Sequence, residues 1–371
     1  MNRNHEQERK DTWDRYMAEL YALAGQESLW KKIEGSTVLI TGATGIIGKC
    51  LVDLVMLRNR VSRKGAGEKE QRGIRVIALS RNEEKARKRL GEHWDQELFQ
   101  YVSCDVNDVI PYCGTADYII HAASNTHPLL YYRDSVGTIA SNVIGTKNLL
   151  DYGIRHGARH FCFVSSVEVY GENRGDTEKF REDYSGYLDC NTLRAGYPES
   201  KRTGEALCNA YRETYGLDFV IPRLARVYGP TMLPSDSKAV SQFMKKAAAG
   251  EDIVLKSLGD QKYSYVFVTD AASGILYSMA FGKPGEAYNV ADEESDITLK
   301  GLAKHLAETA GSKVVFQLPQ EEERRGYSTA TKAMLDAAKL RELGWKARVS
   351  MDEGLQCTVK AFSREPAKGQ E

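Results

Sequence analysis

Three glycines at three-residue intervals, Gly42-Ala43-Thr44-Gly45-Ile46-Ile47-Gly48, stand between an aliphatic run and an amphipathic one. Val38-Leu39-Ile40 ahead of them reads as a strand, and Lys49 to Leu57 behind them as a helix with apolar residues at helical spacing. That order constrains the fold more than any other feature, because it aims backbone N–H groups and a helix N-terminus at a pyrophosphate. A missing Cβ permits the turn, the close approach of a dinucleotide and tight contact of helix on strand. Gly42, Thr44, Gly45, Ile46, Ile47 and Gly48 are the candidate cradle.

Strands expected near 37–41, 75–80, 99–105, 117–122, 160–165 and 218–222 alternate with helices, the pattern of a parallel sheet covered on both faces. The fold expected is therefore α/β: a Rossmann-type doubly wound sheet over 35–222, followed by a smaller mixed α/β lobe over 223–371 interleaved with it. That lobe reads as a helix near 236–249, a hairpin-like stretch from Ile253 to Phe267, a strand at 287–290, a helix at 298–310, a strand at 313–318, and helices near 335–342 and 351–363. Residues 1–34 form a helical extension in which Trp13, Tyr16, Met17, Leu20 and Leu23 make one apolar stripe, suited to packing on the body or to an oligomer contact. Arg58 to Gly73 reads as a solvated loop, Phe316 to Glu323 as a surface segment, and the tail from about 364 as disordered.

Tyr197-Pro198-Glu199-Ser200-Lys201 places a phenol and an ammonium four apart, on one face of a helix. A nearby cation favours phenolate, so Lys201 is expected to draw the Tyr197 pKa from about 10 towards neutrality, as a general base or acid for an alcohol/ketone pair requires. Ser166, ending a strand, supplies a hydroxyl to hold the substrate oxygen. Three motifs in this order read as a redox enzyme.

Lys plus Arg equals Asp plus Glu at 51 each in 371 residues, which leaves no global field for nucleic acid or an anionic membrane. The seven cysteines, 50, 104, 113, 162, 190, 208 and 357, are scattered and read as reduced packing residues of a cytoplasmic protein. No secretory or membrane-spanning run is expected. His156 and His160 are separated by Gly157 where a helix should end, so they read as solvated or loosely packed, and no metal site is expected.

The chain resembles the extended short-chain dehydrogenase/reductase superfamily, in its NAD(P)-dependent nucleotide-sugar epimerase/dehydratase branch. Besides the three motifs, the likeness rests on Asp105-Val106, Ala122-Ala123, Asn142, Val169-Tyr170-Gly171, Arg223 with Val227-Tyr228-Gly229-Pro230, Val266 to Asp270, and Tyr288-Asn289-Val290. The resemblance implies that Asp105 and Val106 contact adenine, that Ala122, Ala123 and Ser124 line the cofactor, and that Ser166, Tyr197 and Lys201 form a catalytic triad. It also implies a nucleotide-diphosphate sugar substrate and a homodimer.

Three departures refine this. Ser80-Arg81 ends the second strand where an NAD site usually places a carboxylate, so Arg81 favours NADP over NAD, the alternative being a guanidinium stacked on adenine or facing water. Ser166-Val167-Glu168 keeps the glutamate of the 4,6-dehydratases and loses their aspartate. Glu168 is then the candidate C5 base for a sugar-nucleotide 4,6-dehydratase, or an exposed carboxylate on a strand end. UDP-glucuronate decarboxylases share that glutamate but also carry an arginine in an Arg-Ser-Phe segment. Tyr263-Ser264-Tyr265 stands here instead, with Lys262 adjacent as a partial stand-in. Arg226 replaces a common asparagine, to grip a diphosphate or to form an internal ion pair; Arg223, Arg226 and Tyr263 join Ser166 as substrate-binding candidates. A 4-epimerase, a decarboxylase-like enzyme, an NADPH-dependent reductase and a catalytically silent NADP-sensing module are the alternatives.

Overall fold

The computed structural model describes residues 15–65, 73–112, 114–126, 131, 133–317 and 330–364. Trp13, Cys113, Leu318 to Glu323 and the tail from 365 lie outside the described residues.

A large parallel sheet is ordered β11-β7-β5-β4-β1-β2-β3, where β1 is Thr37–Thr41, β2 Arg75–Ser80, β3 Phe99–Ser103, β4 Tyr118–His121, β5 His160–Phe163, β7 Asp218–Leu224 and β11 Glu286–Val290. The short β6, Ser165–Ser166, pairs with β7. Alternation sets its two faces: Val38, Ile40, Val76, Ala78 and Cys162 enter one core, and Leu39, Ile77, Leu79, Phe161 and Phe163 enter the other. The first core is covered by the helices Ile46–Gly65 and Val268–Phe281, the second by Ser135–Arg155 and Gly196–Tyr215. The result is a doubly wound α/β fold. After β3 the chain crosses to β4 on the other side of β1, so a crevice opens at the carboxyl ends of β1 and β4.

Beyond Arg223 the chain builds a smaller sheet and returns once to the large one through β11. In the small sheet β10, Lys262–Phe267, pairs antiparallel with β12, Asp292–Thr298, and parallel with β8, Arg226–Tyr228, and β14, Lys332–Ala333. The hairpin expected from Ile253 to Phe267 does not form. β9, Ile253–Leu255, pairs in parallel with β13, Val314–Phe316, a partner too distant in sequence for local pattern to reveal.

Residues 15–24 are helical, and their stripe packs on the body: Tyr16, Leu20 and Leu23 are buried, and the Tyr16 hydroxyl donates to Asp53 at 2.9 Å. The expected loop after Arg58 is instead helix to Gly65, and Arg58 is buried. Its guanidinium clasps Glu27 at 2.6 and 2.7 Å, Glu34 at 2.5 Å and the Ala24 carbonyl at 3.0 Å, so a basic residue that looked solvated fastens the extension. Among the described residues no helix is long and apolar enough to cross a membrane.

Candidate active site

The glycine turn follows β1 directly. Gly42 has φ +66°, and a Cβ there would lie 2.8 Å from the Ala122 carbonyl and the Ala123 backbone. At Gly48 a Cβ would lie 2.2 Å from the Gly42 carbonyl, so both positions exclude side chains by backbone contact. Thr44 is buried, and the helix Ile46–Gly65 begins at Ile46 and Ile47 with no acidic residue in its first turn. Its free N–H groups suit an anionic pyrophosphate.

Arg81 follows β2, with its side chain 63% exposed and 3.7 Å from Asp105, the residue expected near adenine. Val106 faces the core, and Asp105 accepts from the Asn107 amide at 2.9 Å. Ala122, Ala123 and Ser124 are half-buried after β4, and the Ala123 amide donates to Thr41 Oγ1 at 3.1 Å. The Cβ-free approach at Gly42 and Gly48 and the open helix N-terminus beside them thus fit the pyrophosphate of a dinucleotide.

Tyr197 and Lys201 lie on the buried face of the helix Gly196–Tyr215. Pro198 is tolerated in its first turn, where no intrahelical donor is lost. The hydroxyls of Ser166 and Tyr131 lie near enough to Tyr197 to favour its phenolate, and its ring stacks on the Tyr131 ring at 4.8 Å between centroids. Its pKa is not drawn towards neutrality as expected: burial and the neighbouring Glu168 charge push it up to about 12. The reason is geometric. Lys201 turns its ammonium to the Val164 carbonyl at 2.9 Å and over the Phe163 ring at 4.7 Å, and burial lowers its own pKa to about 8.

Glu168 is not an exposed strand-end carboxylate. It is the second residue of a 3-10 turn, Val167–Tyr170, and its backbone amide donates to Ser166 Oγ at 3.3 Å. Both its oxygens accept from Arg194 Nη2, at 2.6 and 2.5 Å. Arg194 also lies 4.7 Å over the Tyr131 ring. Arg194 and Tyr131 were absent from the expected set; Arg194 stands three residues before Tyr197, and that spacing on the entry to a helix is the one signal that points to it.

Arg223 is a correction. It spans Glu205 at 3.0 and 2.7 Å and donates to the Tyr170 hydroxyl and the Glu182 carbonyl, so its donors tie β7 to its surroundings and are not offered to a substrate. Arg226 forms no internal ion pair among the described residues; its guanidinium lies 3.4 Å over the Tyr263 ring. Lys262, next to Tyr263, is exposed at the strand end.

His160 is buried and held neutral, its pKa lowered to about 4 by burial, while His156 stacks on Tyr152. Among the described residues Asp53, Glu92 and His93 come within ligating reach of one another, but Lys49 Nζ sits there, 2.8 Å from Asp53 and 3.1 Å from Glu92. Cys50, Cys162 and Cys208 are buried free thiols, and Cys357 is buried.

The chain is similar to known proteins along most of its length. The model of the NAD dependent epimerase/dehydratase family matches residues 38–291. UDP-glucuronic acid decarboxylase 1 of Xenopus tropicalis is 30% identical over 331 residues, 88% of this chain and 72% of that protein. UDP-glucuronic acid decarboxylase 6 of Arabidopsis thaliana is 31% identical over 334 residues, 88% of each. The dTDP-glucose 4,6-dehydratase DesIV of Streptomyces venezuelae, solved with NAD, is similar at 25% identity with a TM-score of 0.73, over 89% of this chain and 97% of that one.

Proposed function

We propose, because the chain belongs to the NAD dependent epimerase/dehydratase family, that this enzyme oxidises C4 of a nucleotide-linked sugar, with Tyr197 as proton acceptor and Ser166 orienting O4. The observation that carries this is the placement of Ser166 beside the buried Tyr197 at the crevice, with Lys201 one helical turn beyond. When bound, the nicotinamide takes up and returns a hydride and in its oxidised form brings a positive charge beside the phenol. Burial keeps Tyr197 protonated by itself, so it becomes a base only when positive charge is set against it. Lys201 reaches that role by leaving the Val164 carbonyl.

The same site separates the outcomes that follow oxidation. Elimination to a 4-keto-6-deoxy sugar requires a free carboxylate to lift the C5 proton, and both Glu168 oxygens are engaged by Arg194. A 4-keto uronate needs no such base. It is a β-keto acid: the C5–C6 bond breaks, its electron pair moves into the C4 carbonyl, CO2 leaves, and C5 then takes a proton. Decarboxylation of a nucleotide-linked uronate is therefore the favoured outcome, with support from the decarboxylases among the relatives. The 4,6-dehydratase is the second reading, supported by Glu168 standing two residues from Ser166. It requires Arg194 to release its partner.

NADP is proposed over NAD. Arg81 ends β2 in place of a carboxylate and has one distant partner, leaving its donors available to a 2′-phosphate. A homodimer is proposed too, with the exposed Val136, Ile139 and Ile144 of the helix Ser135–Arg155 as apolar surface for a second copy. The reaction is tested by incubating the enzyme and its Glu168→Gln variant with nucleotide-linked uronates and neutral hexoses. Release of CO2 from a uronate by both supports decarboxylation. A 4-keto-6-deoxy product from a neutral hexose, lost in Glu168→Gln, supports elimination.

A further inference from the structure

Four cations gather where the two lobes meet, and three have partners. Arg194 is neutralised by Glu168, and Arg223 by Glu205. Lys201 donates to the Val164 carbonyl and lies beside Glu205, whose charge supports its proton. Arg226 is different. No described carboxylate pairs with it, and its Nη1 is buried with no hydrogen-bond partner; Nε and Nη1 of Arg194 are likewise unpartnered, but the charge of Arg194 is met by Glu168. An arginine donor buried without an acceptor costs free energy unless something arrives to accept from it.

The side chain is held in place rather than left to search. β8 and β10 run parallel with Arg226 opposite Tyr265, and the guanidinium stacks 3.4 Å over the Tyr263 ring. Tyr263 is itself fixed, its hydroxyl donating to the Ala330 carbonyl at 2.9 Å. Stacking occupies the face of the guanidinium and leaves its edge donors in plane, the geometry suited to a planar oxyanion. Ser166 pairs with Leu224, two residues before Arg226, which places this pair at the Ser166 and Tyr197 end of the site.

We propose that Arg226 is the specificity-determining residue for a carboxylate at C6 of the sugar. This deepens, and rests on, the reading that C4 is oxidised at Tyr197. In a pyranose C1 and C4 are at opposite ends of the ring. The diphosphate leaves from C1, whereas C6 hangs on C5, next to the reacting carbon. A cation held beside the Tyr197 end therefore meets the C6 substituent and not the diphosphate.

The test is a binding measurement, which needs no turnover. Titration calorimetry on the Tyr197→Phe protein, with and without Arg226→Asn, uses UDP, UDP-glucose and UDP-glucuronic acid as probes. Arg226→Asn is expected to weaken UDP-glucuronic acid by about 10- to 100-fold, the loss of one charge-assisted contact, and to leave UDP and UDP-glucose within about threefold. Arg226→Asn with Tyr263→Arg returns a guanidinium to the neighbouring strand and is expected to regain the preference for the uronate. A parent that does not prefer UDP-glucuronic acid over UDP-glucose overturns the proposal. So does an equal loss for all three probes, the signature of a diphosphate contact or of misfolding, and so does an equal loss for the two sugars alone. If the preference behaves as expected while the enzyme with Tyr197 restored never oxidises C4, the reading of the reaction fails and the carboxylate contact stands.

Discussion

Replacing Arg194 by Met removes the partner from a carboxylate that is mostly out of water. The side chains of Arg194 and Glu168 are 15% and 23% exposed, and one guanidinium nitrogen serves both oxygens. Breaking a fully buried pair from one side costs 3–5 kcal/mol; the residual exposure places Arg194→Met at the lower end, about 3 kcal/mol. Loss of the cation stacked on Tyr131 adds about 0.5–1 kcal/mol. Glu168→Gln keeps an amide oxygen for the guanidinium and should cost less, about 1–2 kcal/mol. The double variant leaves no isolated charge, so its cost should fall short of the sum of the two by about 2 kcal/mol. Urea denaturation of the four proteins, followed by circular dichroism, measures that coupling. Additivity within about 0.5 kcal/mol would refute the clasp, free Glu168 to act as a base, and restore elimination as the favoured reading.

Tyr197→Phe should lower turnover by about 10²-fold or more while cofactor affinity stays within a few-fold; near-parental turnover would remove Tyr197 from the chemistry. Arg81→Ala should weaken NADP by roughly 1.5–3 kcal/mol more than NAD in calorimetric titration, and equal losses would exclude contact with a 2′-phosphate. Lys201 has a folded pKa lowered to about 8, below that of an unfolded lysine. Its charge on the free enzyme is full below that pH and lost above it. Cofactor affinity should then fall by up to about tenfold per pH unit above pH 8, and a flat profile in Lys201→Met should accompany it. The unfolded chain binds the extra proton between about 8 and 10.5, so this residue makes the fold more stable as pH rises through that window.

The parts of the site legible in sequence are those fixed by backbone geometry or by spacing along one helix. Gly42 is demanded by its positive φ, Gly48 by contact within the same turn, and Tyr197 with Lys201 by one helical face. What failed to show depends on partners far along the chain. Arg223 looked free because Glu205 sits on a helix whose inward face pattern reveals but whose rotation towards β7 it does not. Arg58 looked solvated because its partners Glu27 and Glu34 belong to a segment that packs back over it. β9 finds β13 across the intervening sheet, which no local alternation encodes. Spacing put Lys201 near Tyr197 but left the direction of its ammonium open, and the Val164 carbonyl decides that.

The central claim, oxidation at C4 followed by loss of a C6 carboxylate, is tested most directly by the fate of UDP-glucuronic acid given to the purified enzyme with added NADP or NAD in deuterated water. The account predicts one equivalent of CO2 per substrate consumed and a UDP-linked pentose carrying deuterium at C5, with neither formed by Tyr197→Phe. Recovery of the uronate intact or epimerised at C4, with no CO2 and no deuterium at C5, would contradict it.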